Sequence, residues 1–188
     1  MKINITYPFT LLILLFVLQS CSSSRKSGSN RNDGEIRSTV KLTKKIAPVN
    51  IRTKGVAAAD VVAFAKTLQG TRYQYGSANP DKGLDCSGFI WYVFNHYSIK
   101  VPRISADFTN AGKEVSIKES MPGDLILFTG SNPKSGVVGH MGLITKNQKN
   151  NIEFIYSASG GGKGVMISGM SEYFITRFVK VIRIFDKE

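Results

Sequence analysis

The sequence predicts an α+β domain. Apolar residues recur at helical spacing early in the folded region, and the period shortens to that of strands after residue 124. The later runs are separated by Gly, Asn, Pro or Ser clusters, which suits an antiparallel sheet with tight turns. Residues 56–68, VAAADVVAFAKTL, carry apolar side chains at helical spacing and stop at Gly70, which predicts a helix. Residues 71–84 are rich in Gly, Asn, Pro and Asp and predict a long loop. Residues 87–97 are apolar nearly all round, the pattern of a buried helix. Residues 105–110 predict a short third helix, capped by Ser105 and ended by Gly112. Strands follow in DLILF (124–128), HMGLIT (140–145), IEFIYSA (152–158), GVMIS (164–168) and RFVKVIRIF (177–185). In the last of these the apolar residues leave Lys180 and Arg183 pointing outward.

The N-terminal residues stand apart from that domain. PFTLLILLFVL (8–18) is too short to span a bilayer as a mature helix and has the length of a secretory h-region. It ends at Leu18-Gln19-Ser20-Cys21, which resembles the lipobox of bacterial lipoproteins. That resemblance implies a signal peptide over 1–20 and acylation of Cys21, with palmitate among its lipids. Residues 21–54 are then a basic, disordered tether and 55–188 the folded domain. Residues 22–54 hold nine Lys and Arg against two acids, whereas 55–188 hold fifteen against eleven. Much of the formal charge of +12 therefore lies in the tether. Beside a lipid anchor it is either drawn to anionic headgroups and acidic wall polymers or is a solvated spacer. A lipidated, exported chain does not meet DNA, so nucleic acid is excluded as the partner of this basic segment.

The two cysteines and two histidines constrain the chemistry. With Cys21 lipidated, Cys86 is a free thiol in an oxidising compartment. The set is too small for a structural zinc site, and neither metal nor cofactor is expected. Cys86 sits in LDCSGFIWYVF (84–94), where Asp85 can cap the helix that the cysteine begins. A helix N-terminus favours thiolate, and the apolar run behind it would hold the sulfur still. Gly88 leaves room for backbone or substrate to come close. His96, ten residues along the same helix, lies roughly 15 Å away and cannot serve Cys86. His140 opens an apolar strand. It is either a core residue or, paired with a helix-start cysteine, the proton shuttle of a papain-like arrangement.

Four stretches in order, GTRYQYGSANPDKGLDCSGFIWYVF, VPRISAD, MPGDLILF and GHMGLI, resemble the motifs of the NlpC family of papain-like cell-wall cysteine peptidases. The resemblance spans about residues 56–185 and implies a papain-like fold, with the nucleophile on a helix N-terminus packed on an antiparallel sheet. It implies a peptidoglycan hydrolase cutting stem peptides through an acyl-enzyme on Cys86, with His140 as general base. The bond cut is either D-Glu to diamino acid or the D-Ala to diamino acid crosslink. Tyr75, Asp85, Ser87, Arg103 and Ser105 match positions lining the substrate groove. Arg103 could read a stem carboxylate or form an internal salt bridge, and Tyr75 could instead pack its own loop. The family's third catalytic position, usually a histidine or an amide residue, falls on Tyr156, whose hydroxyl could hydrogen-bond the imidazole. Phe108 stands where glutamine is common, and the turn at 146–151 is longer than usual. The alternative reading is a catalytically weak or inactive wall-binding lipoprotein. A monomer, anchored by its lipid in the outer membrane and facing the periplasm, is the expected form.

Overall fold

The computed structural model describes residues 49–149, 151–160 and 163–185. The expected signal peptide, the lipidated Cys21 and most of the tether lie outside these residues. Two α-helices precede the main sheet. Helix α1 (Ala58–Thr67) buries Val61, Val62 and Ala65, with Asp60 in its first turn and Lys66 in its last, each matching the sign of the nearby dipole end. A short hairpin of β1 (Ala78–Asn79) and β2 (Gly83–Leu84) leads into α2 (Cys86–His96). Helix α2 buries Ser87, Gly88, Phe89, Ile90, Val93 and Phe94, while Trp91 and Tyr92 are only half-buried. It therefore hides a stripe rather than its whole surface, contrary to the sequence expectation. His96 stacks on Phe64 of α1 at 3.7 Å between ring centroids, so its role is to join the two helices.

The sheet is six-stranded and antiparallel, in the order β3-β8-β4-β5-β6-β7. Its strands are β3 (Lys113–Val115), β4 (Leu125–Thr129), β5 (Val138–Gln148), β6 (Asn151–Ala158), β7 (Gly164–Gly169) and β8 (Phe178–Arg183). A 3-10 turn (Ser105–Asn110) follows α2, and a short helix α3 (Glu172–Ile175) lies between β7 and β8. Side chains alternate across the sheet and build two cores. Leu125, Leu127, Met141, Leu143, Ile155, Val165 and Ile182 join α1 and α2 in one core. Ile126, Phe128, Ile144, Phe154, Tyr156 and Val181 face the other way and are covered by Phe174 of α3.

One boundary and one side-chain orientation differ from the sequence expectation. The packed domain begins before residue 55: Val49 N–H donates to the Asn110 carbonyl at 3.1 Å, and Ile51 is buried in the first core. Arg183 does not point outward. Its Nε and Nη2 donate to the two carboxylate oxygens of buried Asp124 at 2.9 and 2.7 Å, and Nη2 also donates to the Glu119 carbonyl. The alternation rule fails there because a fully paired guanidinium can be buried where an unpaired one cannot.

Candidate active site

Asp85 organises the start of α2. Its Oδ1 accepts from Gly88 N–H at 2.6 Å, the N-cap bond that the sequence suggested. The same carboxylate is held by Arg103, with Nη1 donating to Oδ1 at 3.0 Å and Nη2 to Oδ2 at 2.8 Å. Ser87 Oγ closes the cluster, accepting from Arg103 Nη1 at 3.1 Å and donating to Asp85 Oδ1 at 3.2 Å. Of the two readings of Arg103, the structure contains the internal salt bridge. Asp85 and Ser87 are buried in this cluster, whereas the Arg103 side chain stays 35% exposed. The pair ties the segment around Arg103 to α2 and brings Ser105 Oγ to 3.4 Å from Cys86 Sγ. From below, Ser157 Oγ donates to the Leu84 carbonyl at 2.6 Å, fixing the approach to Cys86 onto β6.

Gly88 is needed for packing. A Cβ there would collide with the carbonyl oxygen of Ser77, which itself accepts from Asp85 N–H at 3.0 Å. The close approach that the sequence suggested is thus made by the protein's own backbone. A comparable approach occurs at Gly139, where a Cβ would lie 2.8 Å from both Cα and N of Gly130. This lets the β4–β5 connection close beside the thiol, and Cys86 Sγ lies 3.9 Å from the Gly139 carbonyl oxygen.

His140 follows Gly139 and pairs with Phe128 across β4. Its ring faces the second core, 6.1 Å from Phe128 and edge-on to Tyr156 at 5.4 Å between centroids. Tyr156 sits on the same sheet face: a Cβ on Gly142 would lie 3.3 Å from Tyr156 Cβ. The expected tyrosine therefore reaches the histidine, but by its ring. Among the described residues there is no hydrogen bond from its hydroxyl to the imidazole. Burial lowers the His140 pKa to about 4.

Cys86 departs from the expectation of a thiolate. Burial pushes its pKa up, and the Asp85 charge adds to this; the Ser105 hydrogen bond and the N–H groups of Ser87 and Cys86 act in the opposite direction. The helix terminus does favour the anion, but desolvation beside a carboxylate outweighs it. Both shifts favour a neutral thiol and a neutral imidazole over an ion pair. The two share no direct hydrogen bond among the described residues, and the thiol is engaged by Ser105 and Gly139.

Tyr75 is 85% exposed in a turn. A second tyrosine, Tyr73, which the sequence reading did not single out, lies within electrostatic reach of Cys86 and Asp85. Burial raises the Tyr73 pKa, and charge on Cys86 and Asp85 raises it further. The signal available in the sequence was Gly76, which makes Tyr75 a turn residue and leaves Tyr73 on the approach to it. A cavity of ≈ 370 Å³ lies between the start of α1 and the Asp124–Arg183 pair and includes neither Cys86 nor His140.

Residues 70–183 match the NlpC/P60 family profile. The bifunctional muramidase/DL-endopeptidase CwlT of Bacillus subtilis is 33% identical over 87 residues, 46% of this chain and 26% of that one. The Escherichia coli murein DD-endopeptidase/LD-carboxypeptidase MepS is 31% identical over 122 residues, 63% of this chain and 58% of that one. The chain thus spans about a quarter of the one relative and somewhat over half of the other. Among solved structures, an NlpC/P60 family protein from Bacillus cereus superposes with a TM-score of 0.61 at 25% identity, over 69% of this chain and 40% of that one. Sequence motifs, the helix-start cysteine beside a strand-start histidine, and the papain-like α+β fold agree: the chain belongs to the NlpC/P60 family.

Proposed function

We propose that the chain is a peptidoglycan hydrolase, a cysteine endopeptidase acting on stem peptides. The observation that carries this reading is the placement of Cys86 at the N-terminus of α2, its sulfur against Ser105 and against the carbonyl that precedes His140. In this reading His140 takes the thiol proton as Sγ attacks the scissile carbonyl carbon. The backbone N–H of Cys86 holds the tetrahedral oxyanion. The intermediate collapses, the C–N bond breaks, and His140 returns the proton to the leaving amine. Water then adds to the thioester with His140 as base, releasing the carboxylic acid and the thiol. A neutral thiol and a neutral imidazole suit this sequence, because proton transfer accompanies attack. The relatives' names include both DL- and DD-endopeptidases, and we propose a stem peptide bond of one of these two kinds. We further propose that acylated Cys21 anchors the chain at the outer membrane with the domain in the periplasm.

A second reading, a wall-binding lipoprotein of weak turnover, is favoured by one observation: among the described residues His140 has no polar partner to orient it. The test is to incubate the full chain, in detergent, with purified sacculi beside a Cys86→Ala copy and to read the products by mass spectrometry. New stem fragments from the wild type alone support the peptidase and name the bond. Binding by both with release by neither favours the second reading.

A further inference from the structure

The general base that protonates the leaving amine must lie on the leaving fragment's side of the site. That side can be followed outward from His140. Tyr156 meets the His140 ring edge-on, and Phe174 of α3 meets the Tyr156 ring at 5.3 Å. The next residue back, Tyr173, is 56% exposed, and its charge helps to raise the Tyr156 pKa after burial, so the two phenols lie within electrostatic reach. The Arg177 guanidinium stacks on the Tyr173 ring, 3.9 Å from its centroid.

The sheet gives an independent route to the same place. His140 and Phe178 both pair with Phe128, one on each side of β4, which puts them two strand spacings apart, about 10 Å. Arg177 directly precedes Phe178, and its carbonyl accepts from Thr129 N–H at 2.8 Å. The Arg177 backbone thus lies about 10 Å from that of His140, roughly the span of three extended residues, and its stacking on Tyr173, beside Phe174 of the second core, holds the cation on the side that the His140 ring faces.

Its pairing is unlike that of the other two site-proximal or buried arginines. Arg103 is closed on Asp85 and Arg183 on Asp124. Arg177 has no carboxylate partner among the described residues. Its Nη1 donates only to the Tyr173 carbonyl at 3.2 Å and to Thr176 Oγ1 at 3.4 Å, and its buried Nε has no partner at all. A guanidinium held over an aromatic ring, with donors unspent, is preorganised for an anionic oxygen. Arg103, which the sequence also offered as a carboxylate reader, already has a carboxylate in Asp85.

We propose that Arg177, stacked on Tyr173, forms a subsite for the terminal carboxylate of the leaving fragment and so sets specificity for that fragment. This deepens the peptidase reading and rests on it for the direction of the substrate. The subsite itself can be tested without turnover.

The first arm uses the full chain carrying Cys86→Ala, in detergent, titrated by NMR with lysyl-D-alanine and with lysyl-D-alaninamide. The acid is expected to bind at least about fivefold more tightly than the amide, and Arg177→Gln should bring the ratio close to one. Arg177→Lys, which keeps the charge and loses the fork, should retain part of the preference and controls for loss of folding. The second arm uses the active chain and a synthetic stem peptide containing the bond identified from sacculi, as free acid and as amide. The acid should be preferred in kcat/KM, chiefly through KM, and Arg177→Gln should erase that preference. Equal binding of acid and amide by the Cys86→Ala chain overturns the subsite, as does a ratio that Arg177→Gln leaves intact. Absence of cleavage by the active chain, with the acid still preferred in the first arm, overturns the peptidase reading and leaves the subsite standing.

Discussion

Asp85→Asn should make the protein less stable and its thiol more acidic at once. The Asp85 carboxylate accepts from Gly88 N–H, from Ser87 Oγ and twice from Arg103. Asparagine keeps a side-chain oxygen for the cap and loses the charge. Removing one member of a fully buried ion pair costs roughly 3–5 kcal/mol. Here the Arg103 side chain is 35% exposed against 9% for Asp85, so the freed guanidinium can rehydrate. The cost then falls to about 2 kcal/mol. Asp85→Ala also removes the cap and should cost about 1 kcal/mol more. Urea denaturation of both variants checks this pair of values. The thiol moves the other way: the Asp85 charge raises the Cys86 pKa, and Arg103 stays behind as an unpaired cation. The pH midpoint of Cys86 alkylation by iodoacetamide should therefore fall, even though the resting wild type titrates above an ordinary thiol. A midpoint that stays or rises refutes the electrostatic account, and equal stability of the two variants refutes the capping role.

His140 gives a pH signature. Unfolded, it binds a proton below about pH 6.5; folded, only below about 4, because burial disfavours the cation. Between these values the unfolded state holds the extra proton, so stability falls as pH falls through that window, by about 3 kcal/mol in total. His140→Gln should flatten this part of the stability curve, measured by denaturation at a series of pH values, and leave the carboxylate-driven loss at lower pH. Tyr156→Phe should change kcat by less than about twofold, since the contact with His140 is made by the ring. A loss of about tenfold or more in a stopped assay on stem peptide would assign the orienting role to the hydroxyl after all.

What could be read from the sequence was local. Asp85 capping the helix of Cys86 follows from adjacent residues, β4 to β7 follow from short β-prone runs between turn signals, and β8 from its alternation. The family resemblance was equally legible because its motifs are contiguous. The pairing of Arg103 with Asp85 was not, since it joins residues 18 apart and competes with a substrate role that uses the same donors. The thiol pKa was misread for a related reason: the helix terminus is visible in sequence, whereas burial by the rest of the fold is not. β1, β2 and β3, of two or three residues each, carry too little pattern to register. Val49 and Ile51 were assigned to the tether because basic residues surround them, although their own side chains are apolar and join the domain.

The sheet with its two unlike faces has a mechanical consequence. Cys86 rides on a helix seated in one core, while the His140 ring is seated in the other, and they meet only around the end of the sheet at Gly139. The distance between sulfur and imidazole is thus a vernier between two separately packed layers. A slip of α2 along its face by a fraction of a turn would part them while every strand and helix stayed intact. Turnover is then a finer gauge of the layers' alignment than secondary structure, and on warming it should fade before the circular dichroism signal does.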